Sequence, residues 1–458
     1  MYFAQHYLDC LSQAAYVIGD PTSGKAVVVD PRRDVDEYVA DAEAHGFTVE
    51  AVINTHFHAD FLAGHLELAQ RTGAWIGYGQ RAVTEYPIRG LADGERISLG
   101  EVTLRILETP GHTPESISIL VFEKPEDTVP YGVLTGDALF VGDVGRPDLL
   151  ASAGVTAEEL GAMLYDSVHH KLMALPDEVR VFPAHGAGSA CGKNLSTELQ
   201  STIGIQRRTN YACRPMDQDA FVRLVTTGQS AAPGYFSYDA DLNRRNRGLF
   251  QAVEGAPALD AAEFARLRAG GAVVLDARDQ FAFAAGHLAG SVNVPLDGRF
   301  AEQAGSVLTP RDEILIVAPA DRAEETVTRL ARIGFDRVHG YAADPEQVFA
   351  ALCDRTRRAG RLTAEALREE LASAEPPLVL DVRNCGERDG GRFIEGALHI
   401  PLAELAERLG EVPAEGRLVV HCAGGHRSSI AASLIRRSGR TEVYDLLGGY
   451  GAWESAAA

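Results

Sequence analysis

Several features that mark particular protein classes are missing from this sequence. No apolar stretch reaches the roughly 18 to 20 residues that a membrane helix needs. The first 20 residues have no basic region and no unbroken apolar core, so we expect no signal peptide. A net positive charge is also missing, because the formal charge is −21. Nucleic acids and anionic membranes attract a positive field, so this charge argues against both as partners.

Cysteine is scarce, with six residues among 458 and no paired spacing. This pattern does not make a disulfide framework and fits a reducing cytoplasm. The remaining composition is ordinary for a globular protein, with 46% hydrophobic and 23% charged residues, over a length that suits about three domains. We therefore expect a cytoplasmic protein, and the sequence is compatible with a homo-oligomer.

The first part of the chain alternates between predicted strands and helices. Short apolar runs that end in polar residues predict buried strands, and helical spacing lies between the first two. Residues 233–248 are rich in turn formers and predict a linker or a loop that clasps a neighbour. The pattern predicts sheets covered by helices. The predicted strands are 26–30, 50–53, 102–107, 116–122, 132–134 and 179–182, and the predicted helix is 34–45.

The second part of the chain repeats itself. VLDAR at 274–278 recurs as VLDVR at 379–383, and GSVNVP at 290–295 recurs as GALHIP at 396–401. An offset of about 105 residues is too long for a solenoid repeat and suits a duplicated small α/β domain. The predicted domains are therefore 1–250, 256–355 and 360–458.

Histidines and aspartates stand at the ends of several predicted strands in the first domain. THFHAD at 55–60 follows one strand, and GHT at 111–113, TGD at 135–137 and PAH at 183–185 follow others. Imidazoles and carboxylates on neighbouring loops can converge on one cation, so this pattern predicts a metal site. The candidate residues are His56, His58, Asp60, His112, Asp137 and His185.

These motifs resemble those of the metallo-β-lactamase superfamily, which implies an αββα sandwich for the first domain. Members of the glyoxalase II type carry HxHxDH and hold two metals. Here position 61 is Phe, which cannot bind a metal, so we expect one metal.

The segment LTGDALFVGDVGRPD at 134–148 resembles the persulfide dioxygenase branch of that superfamily. The resemblance implies one Fe(II) per chain, held by His56, His112 and Asp137. Two histidines and one carboxylate leave coordination positions open for a thiolate-type substrate and O₂. Zn²⁺ accepts the same ligands and is the alternative metal. The resemblance then leaves His58, Asp60 and His185 to orient ligands or waters.

Two further residues near these motifs have open interpretations. Arg146 is either an anchor for an anionic thiol-bearing substrate or the partner of Asp143 or Asp148 in a salt bridge. Cys191 lies just after His185, where it is either a small buried residue or a thiol that relays sulfur or is modified.

The last domain carries a reactive-cysteine pattern, CAGGHR at 422–427, between a predicted strand at 417–421 and a predicted helix at 430–437. A cysteine on a glycine-containing loop that opens a helix receives backbone N–H groups and the positive helix end, and both stabilise a thiolate. Arg427 can hold an anionic group through paired hydrogen bonds. Tyrosine phosphatases also use a CxxxxR loop, so the loop alone leaves the chemistry open.

The surroundings of that loop, LDVR, GALHIPL and a later GGY, resemble the rhodanese family of sulfurtransferases. The resemblance implies that Cys422 alternates between thiolate and persulfide with Arg427 as its partner, and that Gly424, Gly425 and His426 bind the substrate. The middle domain has the same scaffold, but its corresponding loop at 318–322 has no cysteine. We therefore expect a rhodanese-like domain without catalytic activity.

Together the resemblances imply α/β and α+β architecture, with a persulfide dioxygenase followed by two rhodanese-like domains. The implied reaction uses O₂ to oxidise a low-molecular-weight thiol persulfide to sulfite and free thiol, and Cys422 moves sulfur between persulfide, sulfite and thiosulfate. A metal-dependent thioester or lactone hydrolase is one alternative. A non-catalytic sulfide or persulfide sensor is the other.

Overall fold

A computed structural model describes residues 1–149, 154–250, 256–319 and 321–456. The chain divides into two compact units. The first unit comprises Met1–Gln229 and Phe236–Phe250, and the second comprises Ser230–Tyr235 and Gln251–Ala458. No helix in the described ranges is both long and apolar enough to cross a membrane.

Two sheets form the centre of the first unit. In the described residues each sheet has six strands, and neighbouring strands follow the chain order within each sheet. The first sheet contains β1 (Tyr2–Leu8), β2 (Gln13–Asp20), β3 (Lys25–Val29), β4 (Thr48–Ile53), β5 (Trp75–Gly79) and β6 (Arg89–Leu91). The second contains β7 (Arg96–Ser98), β8 (Thr103–Glu108), β9 (Ile117–Phe122), β10 (Gly132–Gly136), β11 (Arg180–Pro183) and β12 (Ser201–Thr202).

Side-chain alternation along these strands explains the layering. On β2, Tyr16 and Ile18 join a buried cluster that also contains Leu104 and Ile119 of the second sheet, so the two inner faces pack together. Their neighbour Val17 points the other way, into a cluster under the helices of the first sheet. The second sheet has its own helix-covered outer face. The αββα sandwich predicted for this part of the chain is confirmed.

Helices cover the outer face of each sheet in the first unit. Their bounds are α1 (Asp36–Ala44), α2 (His65–Thr72), α3 (Ala157–Tyr165), α4 (Ile203–Thr209), α5 (Gln218–Thr226) and α6 (Phe236–Leu242), with a π-helical turn at Asp166–Leu172. The predicted strands and the predicted helix at 34–45 are confirmed, with ends shifted by up to two residues. The prediction for 233–248 is partly wrong, because α6 lies within it. Residues 243–248, after α6, bond the rest of the first unit, as a clasping loop would.

The second unit contains the same sheet twice. The order β13-β18-β17-β14-β16 in one sheet matches β20-β24-β23-β21-β22 in the other, and all neighbouring strands in both are parallel. The strands are β13 (Ala258–Leu259), β14 (Val273–Asp276), β15 (His287–Leu288), β16 (Val292–Asn293), β17 (Ile314–Val317), β18 (Val338–Ala342), β19 (Thr356–Arg357), β20 (Gly360–Leu362), β21 (Leu378–Asp381), β22 (Leu398–His399), β23 (Leu418–His421) and β24 (Val443–Leu446).

The helices of this unit pack against the two sheets. They are α7 (Ala261–Ala269), α8 (Gln280–Ala285), α9 (Phe300–Val307), α10 (Ala323–Ala331), α11 (Pro345–Ala351), α12 (Ala364–Leu371), α13 (Leu402–Leu405), α14 (His426–Arg437) and α15 (Gly449–Ser455), with 3₁₀ turns between some of them. The duplication predicted from the repeated motifs is confirmed. The domain bounds 1–250, 256–355 and 360–458 stay a prediction. In the middle domain's loop at 318–322, Ala320 lies outside the described residues.

Candidate functional site

Three of the predicted metal ligands converge in the first unit. His56 follows β4, His112 follows β8 and Asp137 follows β10, and one donor atom from each lies within 4.8 Å of the others. Asp137 Oδ2 is 3.8 Å from His56 Nε2 and 3.5 Å from His112 Nε2. All three residues are 1% exposed. The arrangement is a buried set of two imidazoles and one carboxylate.

Both imidazoles are oriented by a hydrogen bond at the opposite ring nitrogen. His112 Nδ1 lies 2.8 Å from the Arg146 carbonyl oxygen, to which it donates. His56 Nδ1 lies 2.9 Å from Thr55 Oγ1, whose own proton is donated to Asp30 Oδ2 at 2.9 Å. With Nδ1 protonated in each ring, Nε2 presents its lone pair toward Asp137. Outer hydrogen bonds of this kind fix the ligand tautomer in metal sites.

Unpaired polar atoms indicate what this set is suited to hold. Among the described residues, His56 Nε2 and both Asp137 oxygens are buried without a hydrogen-bond partner. Each such group costs about 1 to 3 kcal/mol when nothing compensates it. Burial, followed by the neighbouring histidines His58 and His112, lowers the pKa of His56 well below its usual value. A neutral imidazole is the form that binds a metal, so the three residues fit a divalent cation.

A second group lies on the other side of Asp137. Donor atoms of His58, Asp60 and His185 lie within 4.8 Å of one another. His185 Nε2 is 3.5 Å from Asp137 Oδ1, and His185 Nδ1 is 3.6 Å from Asp60 Oδ2. Asp137 thus turns one oxygen to each group. The structure therefore places the six predicted residues in one buried cluster.

His58 differs from the other histidines of this cluster because its Nε2 already has a partner. That nitrogen lies 3.0 Å from Asp30 Oδ1. Burial alone would lower the pKa of His58, but the carboxylates of Asp30, Asp60 and Asp137 together outweigh burial and the net pKa is raised. Phe61 is fully buried, and its ring centroid lies 4.3 Å from that of His58. Phe61 therefore fills the position beside His58 where the HxHxDH pattern has its last histidine.

Arg146 makes the salt bridge that one of its two interpretations predicted. Its Nε and Nη2 atoms donate to Asp148 at 2.6 and 2.7 Å, and the residue is 3% exposed. Its role as a substrate anchor stays a prediction. Cys191 is also buried, and its sulfur belongs to a donor group with Asp137 and His185. Burial, followed by Asp60 and Asp137, raises the pKa of the Cys191 thiol well above its usual value.

The second candidate site is the loop between β23 and α14. Cys422 is 1% exposed, and the Gly425 N–H donates to its Sγ at 3.1 Å. Gly425 has φ +94°, a left-handed conformation that favours glycine and lets its N–H turn toward the sulfur. Ser428 Oγ lies 3.7 Å from the same sulfur. The helix begins at His426, four residues before the predicted start, so its positive end lies directly at the cysteine loop.

The GGY motif is hydrogen-bonded to the backbone of this loop. The Tyr450 N–H donates to the Cys422 carbonyl at 2.7 Å, and the Gly451 N–H donates to the Ala423 carbonyl at 3.0 Å. A Cβ atom at Gly449 would lie 2.4 Å from the Cys422 oxygen, so a larger residue cannot replace this glycine without moving the loop. The motif therefore supports the conformation of the cysteine loop.

Arg427 has a partner that the sequence analysis did not foresee. Its two terminal nitrogens each donate to Glu387 at 2.7 Å. Burial would lower the pKa of Arg427, but Glu387 outweighs burial and the net pKa is raised. Glu387 in turn closes a capping box with Asn384. In this arrangement an anionic substrate that uses Arg427 competes with Glu387 for the guanidinium.

Comparison with known families agrees with both geometries. Residues 8–185 match the metallo-beta-lactamase superfamily, and residues 260–344 and 363–456 each match the rhodanese-like domain. A hydroxyacylglutathione hydrolase of Bradyrhizobium sp. is 34% identical over 250 residues, which are 48% of this chain and 91% of that protein. The chain belongs to the metallo-beta-lactamase superfamily. It also carries two rhodanese-like domains in tandem.

Other relatives match different shares of this chain and of their own length. The persulfide dioxygenase ETHE1, mitochondrial, of Bos taurus is 29% identical over 231 residues, which are 50% of this chain and 82% of that protein. A crystal structure of a metallo-beta-lactamase from Staphylococcus aureus is 33% identical with a TM-score of 0.67, and the match covers 74% of this chain and 98% of that one. The chain spans only about half the length, 52 to 54%, of the first curated relatives it matches, the beta-lactamase hydrolase-like proteins.

Asp30 is a site residue of this superfamily member that sequence reasoning missed. It accepts hydrogen bonds from the Thr55 N–H at 2.7 Å and from the Thr55 hydroxyl, in addition to its contact with His58. Its φ of +51° is unusual for a residue other than glycine, and such backbone strain is common at functional sites. A signal was present, because Asp30 ends the strand that pairs in parallel with β4 and so reaches the same sheet edge as His56.

Asn243 is the second such residue, in the segment interpreted as a linker or clasp. It is fully buried, and its Nδ2 donates to the carbonyls of His58 and Phe61 at 2.8 and 2.9 Å. Its Oδ1 accepts from the Ala63 N–H at 2.9 Å. One side chain therefore fixes the loop that carries the histidines, from 180 residues further along the chain. No local pattern around residue 243 signals this role.

Proposed function

We propose that this protein is an iron-dependent persulfide dioxygenase joined to a sulfurtransferase that acts at Cys422. One observation carries the proposal: a buried set of two histidines and one aspartate, with Phe61 beside it, in a chain that also carries a cysteine loop of the rhodanese type. The first feature suits a single redox metal. The second makes sulfur compounds the natural substrates.

The proposed metal is a single Fe(II) held by His56, His112 and Asp137. Asp30 occupies the Nε2 of His58, which keeps only Nδ1 for a metal, and Phe61 offers no donor atom. Two histidines and one carboxylate form the facial arrangement found in non-haem iron oxygenases. When bound there, Fe(II) supplies open positions at which a persulfide sulfur and O₂ meet. Zn²⁺ remains the alternative metal.

The proposed reaction converts a low-molecular-weight thiol persulfide, O₂ and water into sulfite, the free thiol and two protons. The outer sulfur is oxidised and O₂ is reduced, so no further oxidant or reductant is needed. The chain's own contribution is orientation: Thr55 and the Arg146 carbonyl hold the two imidazoles, and Asn243 holds the loop that carries them. Burial of the site excludes bulk water, which strengthens electrostatic interactions within it.

The proposed transfer step uses the Cys422 thiolate as nucleophile. It attacks the outer sulfur of thiosulfate or of a persulfide, a new S–S bond forms, and the donor's S–S bond breaks. Sulfite or the donor thiolate leaves with the electron pair, and Cys422 carries the persulfide. The Gly425 N–H and the start of α14 stabilise the negative charge on the sulfur.

The proposal extends to partners and location. The substrates are small sulfur compounds, O₂, sulfite and thiosulfate. In the described residues none of the six cysteines forms a disulfide, which suits a reducing cytoplasm.

Oxygen uptake by the full chain tests the proposal. Protein purified without air should hold iron and consume O₂ when a thiol persulfide is added, with sulfite or thiosulfate as product. Replacing His112 with alanine should abolish this uptake. Equal conversion of the persulfide without O₂ would refute the dioxygenase.

Replacing Cys422 with serine separates the two activities. We expect persulfide-dependent O₂ uptake to remain at the wild-type rate and sulfur transfer between thiosulfate and a thiol to disappear. Serine keeps the size of the side chain and removes the nucleophilic sulfur. Thiosulfate formation that survives this change would show that Cys422 does not carry the sulfur.

A metal-dependent thioester hydrolase is the second candidate. It is favoured by the donor group of His58, Asp60 and His185 and by the similarity to a hydroxyacylglutathione hydrolase. Two metals per chain and hydrolysis of a glutathione thioester in the absence of O₂ would support it over the dioxygenase.

A further inference from the structure

The middle rhodanese-like domain, whose loop at 318–322 has no cysteine, contacts the reactive loop of the last domain. Gln303 lies on α9, in the middle domain, and His426 is the first residue of α14. The His426 Nε2–H donates to Gln303 Oε1 at 2.9 Å. His426 directly follows Gly425, whose N–H contacts the Cys422 sulfur. One side chain of the middle domain thus reaches a residue next to the sulfur's hydrogen-bond donor.

A second set of bonds attaches α14 to the same domain. The Asn293 N–H, at the end of β16, donates to Ser433 Oγ at 2.9 Å. Ser429 Oγ donates to Asn293 Oδ1 at 2.9 Å. The side-chain Nδ2 of Asn293 in turn donates to the carbonyls of Asp276 and Arg278 at 3.0 and 2.9 Å. Asn293, Ser429 and Ser433 are buried. These contacts fix the body of α14, whereas Gln303 acts at its first turn.

The electrostatics of His426 explain why a neutral amide suits this position. Burial, followed by the positive charge of Arg427, lowers the pKa of His426, while Asp297 in the middle domain opposes that shift. Asp297 is itself paired with Arg322. A neutral imidazole has one N–H, and Gln303 Oε1 accepts it. The contact therefore selects the tautomer protonated at Nε2 and fixes the plane of the ring.

We propose that Gln303 of the middle domain is a positioning residue for sulfur transfer at Cys422: it holds His426, and with it the first turn of α14, in one arrangement around the sulfur. The middle domain is then part of the transferase site although its own loop at 318–322 has no cysteine. Gln303 takes no part in the bonds that form and break. This inference rests on the proposed sulfur transfer at Cys422.

Three variants of the full chain test the role of Gln303. Gln303→Leu removes the acceptor at similar size, and Gln303→Glu keeps an acceptor at the same place. The control is Gln347→Leu, because Gln347 is exposed in the same domain and its side chain bonds Asp344 at the start of its own helix. The measurements are sulfur transfer from thiosulfate to a thiol as a function of pH, and O₂ uptake with a persulfide.

We expect Gln303→Leu to lower kcat/KM for transfer by up to about tenfold, the effect of losing one hydrogen bond. The O₂ uptake of Gln303→Leu should stay at the wild-type level. Gln347→Leu should match the wild type in both measurements. Gln303→Glu should retain transfer, and its pH profile should move upward because a carboxylate stabilises the imidazolium of His426. A contact that only joins the two domains would not move that profile.

The outcomes separate the two levels of the argument. If Gln303→Leu transfers sulfur at the wild-type rate, the positioning role is overturned and the proposed function still stands. Wild-type protein that consumes O₂ with a persulfide but transfers no sulfur would overturn the transferase part of the proposed function, and the role of Gln303 with it. A pH profile of Gln303→Glu identical to that of the wild type would also overturn the positioning role.

Discussion

Replacing Asn243 with alanine tests how the segment after α6 supports the candidate metal centre. The change removes three buried hydrogen bonds, two donated to the carbonyls of His58 and Phe61 and one accepted from the Ala63 N–H. Each bond contributes about 1 kcal/mol net, and each backbone group left buried without a partner adds to the cost. We expect the free energy of unfolding of the first unit to fall by about 3 to 5 kcal/mol.

Tryptophan fluorescence can report on the first unit alone. The chain has two tryptophans, Trp75 on β5 in the first unit and Trp453 on α15 in the second. In a Trp453→Phe background, urea unfolding followed by Trp75 should show a midpoint lower by about 1 to 2.5 M, given a slope of about 2 to 3 kcal/mol per molar urea. Bound iron and persulfide-dependent O₂ uptake should fall as well, because the histidine loop loses its support.

The control for this change is Asn246→Ala, an exposed position in the same segment. It should leave the midpoint, the iron content and the O₂ uptake unchanged. A midpoint shift under about 0.3 M for Asn243→Ala, with full O₂ uptake, would show that the three bonds do not hold the loop.

Two further predictions concern the same unit. Phe61→His should raise the metal content by one divalent ion per chain in metal analysis, because it adds an imidazole beside Asp60 and His185; an unchanged content would contradict the role given to Phe61. Glu67 is buried between Arg33 and Arg247. Burial alone would raise the pKa of Glu67, but these arginines lower it, and the net pKa is below its usual value. A lowered folded-state pKa gives stability that is present above the unfolded value, about 4.3, and is lost as the pH falls through the folded-state pKa. In unfolding followed by Trp75, Glu67→Gln should therefore cost most at neutral pH and progressively less in acid, and a cost independent of pH would contradict the ion pairs.

The chemistry of both candidate sites could be predicted from sequence because it depends on short motifs next to strand ends. His56, His112 and Asp137 each follow a strand, and β8 and β10 run in the same direction, so His112 and Asp137 leave the second sheet at the same edge. Cys422 follows a strand and precedes a helix, so its loop had a predictable setting. The duplication could be predicted because the repeated motifs lie on the same strands of two identical sheets.

The partners of these residues could not be predicted in the same way. Asn243 lies 180 residues or more from the carbonyls it bonds, and Gln303 lies 123 residues from His426. Hydrogen bonds between side chains and distant backbone or ring atoms leave no periodic pattern in a sequence. The pairing of Arg427 with Glu387 was missed for the same reason, since Glu387 lies 40 residues away and alone looks like an ordinary surface charge.

The sequence by itself determined the kind of chemistry: two histidines and an aspartate suited to a metal, a phenylalanine in place of a further ligand, and a thiol at the start of a helix. Tertiary structure alone decided how these groups are held. Asp30 binds one ring nitrogen of His58, Glu387 pairs with Arg427, and Gln303 of the middle domain bonds His426 beside the cysteine loop. The physical reason is that the type of a side chain limits what it can bind, but only its neighbours in space decide which of its atoms remain available.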